Sequence, residues 1–377
     1  MRIEPFALER FQSEWEHRVR YNLSESGVLP LSVRELLGDD AALAAVLDTP
    51  LVYTQTNGTP PLREAIAARY PGATAEHVQV TNGGSEANFV VTWRMVEPGD
   101  EVVVLVPAYL QIAGLVRAFG GVVREWPMRR AADGRWRPDS AELDALVTPK
   151  TRAIVINTPN NPTGARLTEA DLDAVARAAA RVGAWVVSDE IYRGAELDGV
   201  ESPSMWGRLD RVIVTSGLSK AYGLPGLRVG WAVAPPEVAA SLWHYHDYTS
   251  IAPGALSDRL ATAALAPGTR DALLARTRAI LRENVPAVEA WLRRCGYPFD
   301  WASPDAGAFV FARYGVPANS TALVTRLRDE ESVLIVPGDQ FGMDGYLRFG
   351  IGDRVGHVLE GLERLKAFLD RLPAAPR

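Results

Sequence analysis

A lysine stands at position 220, in SGLSKAYGLPGLRVGW, within a chain that uses arginine for all but three of its 40 basic side chains. The difference is chemical. A guanidinium stays protonated below a pH of about 12, whereas a partly desolvated ammonium can lose its proton and attack a carbonyl carbon. Lys150 follows a Thr-Pro pair in a predicted turn and Lys366 lies on the polar face of a predicted helix, where either cation would serve. Lys220 instead follows the apolar run RVIVTSG and precedes a glycine-studded loop. That places it at the C-terminal edge of a sheet, where α/β folds bind ligands.

Three more stretches could join it there. In GLRVG, Arg228 lies between Gly226 and Gly230, which let backbone and ligand approach closely. TNGGSEA (81–87) puts Gly84 and Ser85 at a strand-to-helix junction, where free N–H groups and the helix dipole favour an anion such as phosphate. This turn does not match the dinucleotide, P-loop or nucleophile-elbow patterns. NTPNNPTGA (157–165) and VVSDEIY (186–192) both follow apolar strands, so their polar residues are expected at the same edge. Asp189 closes a run of buried type and should meet a cation or a strong donor, because an unpaired buried carboxylate is costly.

The elements that must position these residues follow from periodicity. From residue 78 onward, β-rich runs alternate with helical patterns: HVQVTN, EVVVLVP, VVREWP, TRAIVINTP, WVVSDEI and RVIVTSG as strands, with helices between. This predicts βα units around a largely parallel sheet. Past Pro253 a long helical stretch leads into GAFVFARY, SVLIVPG and YLRFGIG as strands, with STALVTRLRDEE and GHVLEGLERLKAFLDRL as helices packing on them. The fold class is therefore α/β, a large lobe with a mostly parallel sheet flanked by helices and a smaller α+β lobe. An N-terminal helix in FALERFQSEWEHR is expected to join the smaller lobe.

Composition narrows the function. The formal net charge is −6 and the basic residues are scattered, so nothing suggests nucleic acid or an anionic membrane. A single cysteine, Cys295, excludes an internal disulfide and a Cys-rich zinc site and fits a reducing compartment. The N-terminus lacks the apolar core of a signal peptide, and no run approaches the roughly 20 apolar residues of a membrane helix. These features predict a cytoplasmic protein with a small-molecule partner. His244 and His246 lie two apart on a predicted helix, so they diverge, and no metal site is expected.

NNPTG, SDEIY and SKAYGLPGLRVGW, in this order and spacing, resemble the pyridoxal-phosphate aminotransferases of fold type I, classes I and II. The likeness runs from about residue 53 to the C-terminus. It implies a small domain from both chain ends (1–45 and 266–377) around a large cofactor domain (46–265), and a homodimer with its sites at the subunit interface. It also implies the roles. Lys220 would form the Schiff base and Asp189 would face the pyridine nitrogen. Asn161 and Tyr192 would bond the phenolic oxygen, and Tyr109 would stack on the ring. Gly84, Ser85, Ser219 and Arg228 would hold the phosphate, with Tyr53 reaching the neighbouring subunit's phosphate. Arg348, in YLRFGIG, would fork the substrate carboxylate, and Asn161 and the loop carrying Gly27 would also touch substrate. The resemblance thus implies amino acid and 2-oxo acid substrates and transamination.

The sequence departs from the pattern in two places. Gly217 stands where many relatives carry Ser or Thr, which shifts phosphate binding toward Ser219 and the Gly-Gly-Ser turn. NLSESGV (22–28) lacks the glycine-acid-proline pattern of the commonest subgroup, and its SESGV resembles the arginine-cyclising capreomycidine synthases. That likeness implies the alternative, a pyridoxal-phosphate cyclase, β-eliminating lyase or oxidase acting on a basic amino acid, with Glu25 either reading a cationic side chain or lying on the surface. Retention of Lys220 and Arg348 together argues against a cofactor-binding regulator.

Overall fold

The computed structural model describes residues 2–372. Its largest element is an eight-stranded sheet in the order Val78–Thr81, Gly230–Val233, Val212–Gly217, Trp185–Asp189, Thr151–Asn157, Glu101–Val106, Val122–Arg130, Trp136–Pro138. The strands from Val212–Gly217 to Val122–Arg130 pair in parallel, and Gly230–Val233 and Trp136–Pro138 run antiparallel to their neighbours. The four central parallel strands are buried almost along their whole length, as strands covered by helices on both faces are, whereas the outer parallel strand Val122–Arg130 carries Arg124, Glu125, Arg129 and Arg130. One of the covering helices, Glu169–Val182, shows how local sequence sets its limits. Thr168 and Asp171 form a reciprocal capping box at its start, and Gly183 ends it with φ 70°. Leu172, Val175, Ala178 and Ala179 face the sheet from it, buried.

A four-stranded antiparallel sheet, Asp300–Trp301, Phe309–Arg313, Tyr346–Gly350 and Val336–Pro337, stands apart from the first. The run SVLIVPG is divided: Val333–Leu334 pairs in parallel with Tyr21–Asn22, while Val336–Pro337 joins the four-stranded sheet. The two ends of the chain therefore meet, as expected. Packing crosses the expected domain limits in two places. Of the N-terminal segment, Tyr21 and Leu23 enter the apolar core around this sheet, whereas Leu8, Val28 and Leu36 pack into the core of the large sheet. The helix Pro267–Arg294 likewise spans both cores, with Leu273 and Leu281 in one and Val288 and Trp291 in the other. A helix of 28 residues is long enough, at about 1.5 Å per residue, to pack on both bodies, so residue 265 marks no break in packing.

Sheet register assembles the polar edge. Asn157 pairs with Asp189, and Asp189 with Thr215, so three strands end side by side. Gly217 pairs with Gly230, and Gly230 with Thr81, which brings the Lys220 loop against the Gly-Gly-Ser turn.

Candidate active site

The polar edge opens into a cavity of about 360 Å³. Gly84, Ser85, Tyr109, Asn161, Asp189, Tyr192, Ser219, Lys220, Arg228 and Arg348 all line it. Asp189 accepts hydrogen bonds from the backbone N–H of Ile191 and from Asn88 Nδ2, both at 3.1 Å. Among the described residues it has no cationic partner, and burial pushes its carboxyl above the usual range. The sequence demand for a strong donor is met. A cation, the other partner that would satisfy it, is absent among the described residues.

Arg348 states the opposite demand. It is 1% exposed, on the strand Tyr346–Gly350, and no carboxylate among the described residues pairs with it. Its guanidinium donates to Asn161 Oδ1 at 2.9 Å and to the carbonyl of Ser24, with the rings of Phe341 and Phe309 5.4 and 5.7 Å away. Asn161 Nδ2 in turn donates to the Tyr192 hydroxyl at 3.2 Å, and that hydroxyl donates to Ser26 Oγ at 3.0 Å. Asn157 locks the loop in place, accepting from the N–H of Asn161 and donating to the carbonyl of Asp189.

An anion cradle forms at the start of the helix Gly84–Met95, whose first N–H groups have no partner within the helix. Gly83 takes φ 94°, and a Cβ there would collide with the Arg228 guanidinium, so the turn and the arginine are in contact. Arg228 too has no carboxylate partner among the described residues. A Cβ on Gly217 would lie 2.8 Å from the carbonyl oxygen of Val229 and 3.1 Å from Gly230 Cα, which explains its glycine. The cradle is braced from behind. Although burial opposes it, hydrogen bonds from His246, Ser250, Thr249 and the Asn82 N–H hold Glu86 down at about 2. His246 is therefore a fully buried partner of Glu86 at 3.3 Å, and no metal-ligating cluster occurs among the described residues.

Lys220 Nζ donates to Glu25 Oε1 at 2.8 Å. Glu25 lies on the surface, its side chain 48% exposed, and it also lines the mouth of the cavity. Attraction to Lys220 lowers the Glu25 carboxyl to about 2. Burial alone would lower the lysine's own affinity for a proton, but Glu25 and the Tyr192 hydroxyl together more than offset it and the net shift is upward.

Two expected residues stand off the wall. Tyr53 is 83% exposed and lies outside the cavity lining. Gly27 is buried behind the wall, where a Cβ would meet the carbonyl of Ser219 at 3.2 Å and Lys220 Cδ at 3.7 Å. The structure also adds lining residues that the sequence did not single out: Asn88, Asn157, Ser26, and Leu8, Glu9, Gln12, Ser13 and Glu16 from the helix Ala7–Trp15. Tyr109 is tied to that helix by a 2.7 Å hydrogen bond to Glu9. The N–P–N spacing of NTPNNP could have flagged Asn157; nothing local could have flagged the helix.

Three ions without counterions in one cavity fit a ligand that brings a phosphate, a protonated ring nitrogen and, with substrate, a carboxylate. Beside a lysine amine, that is the donor set of a pyridoxal-phosphate site. The family profile described as aminotransferase class I and II matches residues 26–365. The chain belongs to this family, and its cofactor is pyridoxal 5′-phosphate. It is 33% identical over 346 residues to capreomycidine synthase of Streptomyces vinaceus, covering 91% of this chain and 88% of that protein. It is 30% identical to the aspartate/prephenate aminotransferase of Thermus thermophilus, over 88% of this chain and 87% of that one. A PLP-dependent aminotransferase from Streptococcus suis superposes with a TM-score of 0.92 over 100% of both chains at 31% identity.

Proposed function

We propose that the protein moves an amino group between an α-amino acid and a 2-oxo acid. The observation that carries this reading is the pair of complementary unpaired charges in one cavity, Asp189 and Arg348, together with the amine of Lys220. When bound, the cofactor supplies an aldehyde that condenses with amines and a ring that accepts the electron pair left when Cα loses its proton. The remaining roles belong to the chain. Asp189 keeps the ring nitrogen protonated, and the Gly84–Ser85 turn with Ser219 and Arg228 takes the phosphate. Asn161 and Tyr192 bond the ring oxygen, and Tyr109 covers the ring face. Arg348 receives the substrate carboxylate in a two-pronged hydrogen bond. Lys220 anchors the cofactor, yields to the substrate amine, and then carries the proton from Cα.

The test is a half-reaction. Incubation with an amino acid alone should leave the amino group on the enzyme, with a 2-oxo product released and the visible absorbance of the cofactor changed. Adding a 2-oxo acid should then restore the original spectrum. Release of ammonia with no transfer to any 2-oxo acid would sink the proposal. It would favour the second reading, a cyclase, lyase or oxidase acting on a basic amino acid. Two observations support that alternative: Glu9, Glu16 and Glu25 all line the cavity, which suits a second positive charge on the substrate, and capreomycidine synthase is a relative over most of the chain.

We also propose a homodimer. Leu47, Leu51, Val52 and Tyr53 are exposed on one segment, with Tyr248 and Leu256 on another. Hydrogen bonds from Thr54 to the carbonyl of Pro253 and from Thr59 to Asp258 join the two segments into one surface. Apolar residues gathered this way mark an interaction face. Sedimentation should give twice the chain mass of 41.0 kDa, and Leu51→Glu should shift the protein toward monomer. A wild-type monomer at micromolar concentration would refute the dimer.

A further inference from the structure

Glu25 has no role in the scheme above, yet its carboxylate is the group bonded to the reactive lysine. It is fixed before the lysine reaches it. Glu25 Oε1 accepts the backbone N–H of Ser26 at 2.9 Å and of Gly27 at 3.2 Å, in addition to Lys220 Nζ at 2.8 Å. A carboxylate held by its own backbone presents its charge without reorganising, which is what makes an electrostatic contact effective in a reaction. The other charged or titratable groups facing Lys220 are Tyr192, Arg348 and Glu16, and none of these hydrogen-bonds it. Glu9, the remaining glutamate of the cavity, is taken up by Tyr109.

Glu25 Oε1 already accepts three donors, and attraction to Lys220 lowers its carboxyl, so it is poorly placed to take up a proton itself. Its effect must be on the lysine's charge. Resting on the assignment of Lys220 as proton carrier, we propose that Glu25 is the positioning residue of that lysine, holding the ammonium that forms on Nζ when the freed amine takes the proton from Cα. In that step the Cα–H bond breaks, its electron pair stays with the substrate and cofactor, and the proton forms a new N–H bond. Passing the proton on returns Lys220 to a neutral amine. Glu25 favours the charged form over the neutral one, so it lowers the barrier to proton removal and keeps the donor aimed during its return.

Glu25→Gln tests this, because the amide oxygen can still accept from Ser26 and Gly27 while the charge is lost. In cofactor-free protein, acetylation of Lys220 by limiting acetic anhydride, followed by mass spectrometry across pH, should shift downward by about one pH unit, which is about a tenfold gain in reactivity at a fixed lower pH. In the holoenzyme kcat should fall about 10- to 100-fold for neutral and cationic amino acids alike, with a larger kinetic isotope effect on Cα deuteration, and KM should move less than about threefold. Glu25→Asp should recover part of both signals. An unchanged labelling profile, or a loss confined to substrates with a cationic side chain, would overturn the proposal. Failure of the underlying assignment is read separately: borohydride reduction of the wild-type holoenzyme would then fix the cofactor to a residue other than Lys220.

Discussion

Lys220→Arg should fold, bind the cofactor without a covalent bond, and lose activity by about 10⁴-fold. The fold is spared because the replacement keeps the charge that Glu25 pairs with, and the side chain is 24% exposed in the cavity rather than packed in a core. The far-UV spectrum and melting temperature should therefore stay near those of the wild type. Chemistry is lost because a guanidinium does not give up its proton near neutral pH and cannot condense with an aldehyde or remove a proton from Cα. Both jobs fail in one substitution. Borohydride reduction and peptide mapping should find the cofactor on the peptide containing residue 220 in the wild type and on no peptide in the variant. A variant that retains a covalent adduct, or turns over within tenfold of wild type, would show that another amine is the anchor.

The large sheet was legible because its strands are long apolar runs ending in polar clusters, a pattern that depends on neighbours in sequence. Gly230–Val233 and Trp136–Pro138 escaped because they are short and stand among glycine or charged residues. The first also follows a loop whose glycines suggest ligand contact more than a strand. The split of SVLIVPG between two sheets was equally hidden, since a run of apolar residues does not say which partners it will pair with.

The same limit governs the site. Lys220, Asp189 and Asn161 stand at strand ends, where a parallel sheet must present them on one edge, so topology and local pattern agree. Asn88 reaches Asp189 across 101 residues of sequence, Ser26 reaches Tyr192 across 166, and Glu25 reaches Lys220 across 195. No periodicity records such pairings. They arise when Tyr21–Asn22 docks beside Val333–Leu334 and draws residues 23–28 across the mouth of the cavity. Gly350 and Gly352 permit that crossing, since a Cβ on either would strike the backbone of this segment.

Asp189→Asn should keep the cofactor covalently attached and still slow turnover by about 10²- to 10³-fold, because a neutral amide no longer holds the ring nitrogen in its protonated form. The surrounding network can accept the change. If the new amide oxygen takes the Ile191 N–H, its NH₂ faces Asn88, whose side chain can rotate to offer its oxygen. Asn88 Nδ2 then meets Thr215 Oγ1, a hydroxyl that accepts as readily as it now donates. The cofactor-free protein should even gain stability. A carboxyl whose folded pKa is raised above the unfolded value of 3.8 binds its proton more tightly in the native state, so its ionisation costs native stability as pH rises above that value. Near neutral pH the wild type bears this cost and the amide does not. Thermal melts at pH 7 should place cofactor-free Asp189→Asn at or above the wild type, and saturation with cofactor should stabilise the wild type more than the variant, because only the carboxylate gains a cation. If the variant turns over within about twofold of wild type, or melts lower without cofactor, then Asp189 is a structural carboxylate and the ring nitrogen lies elsewhere.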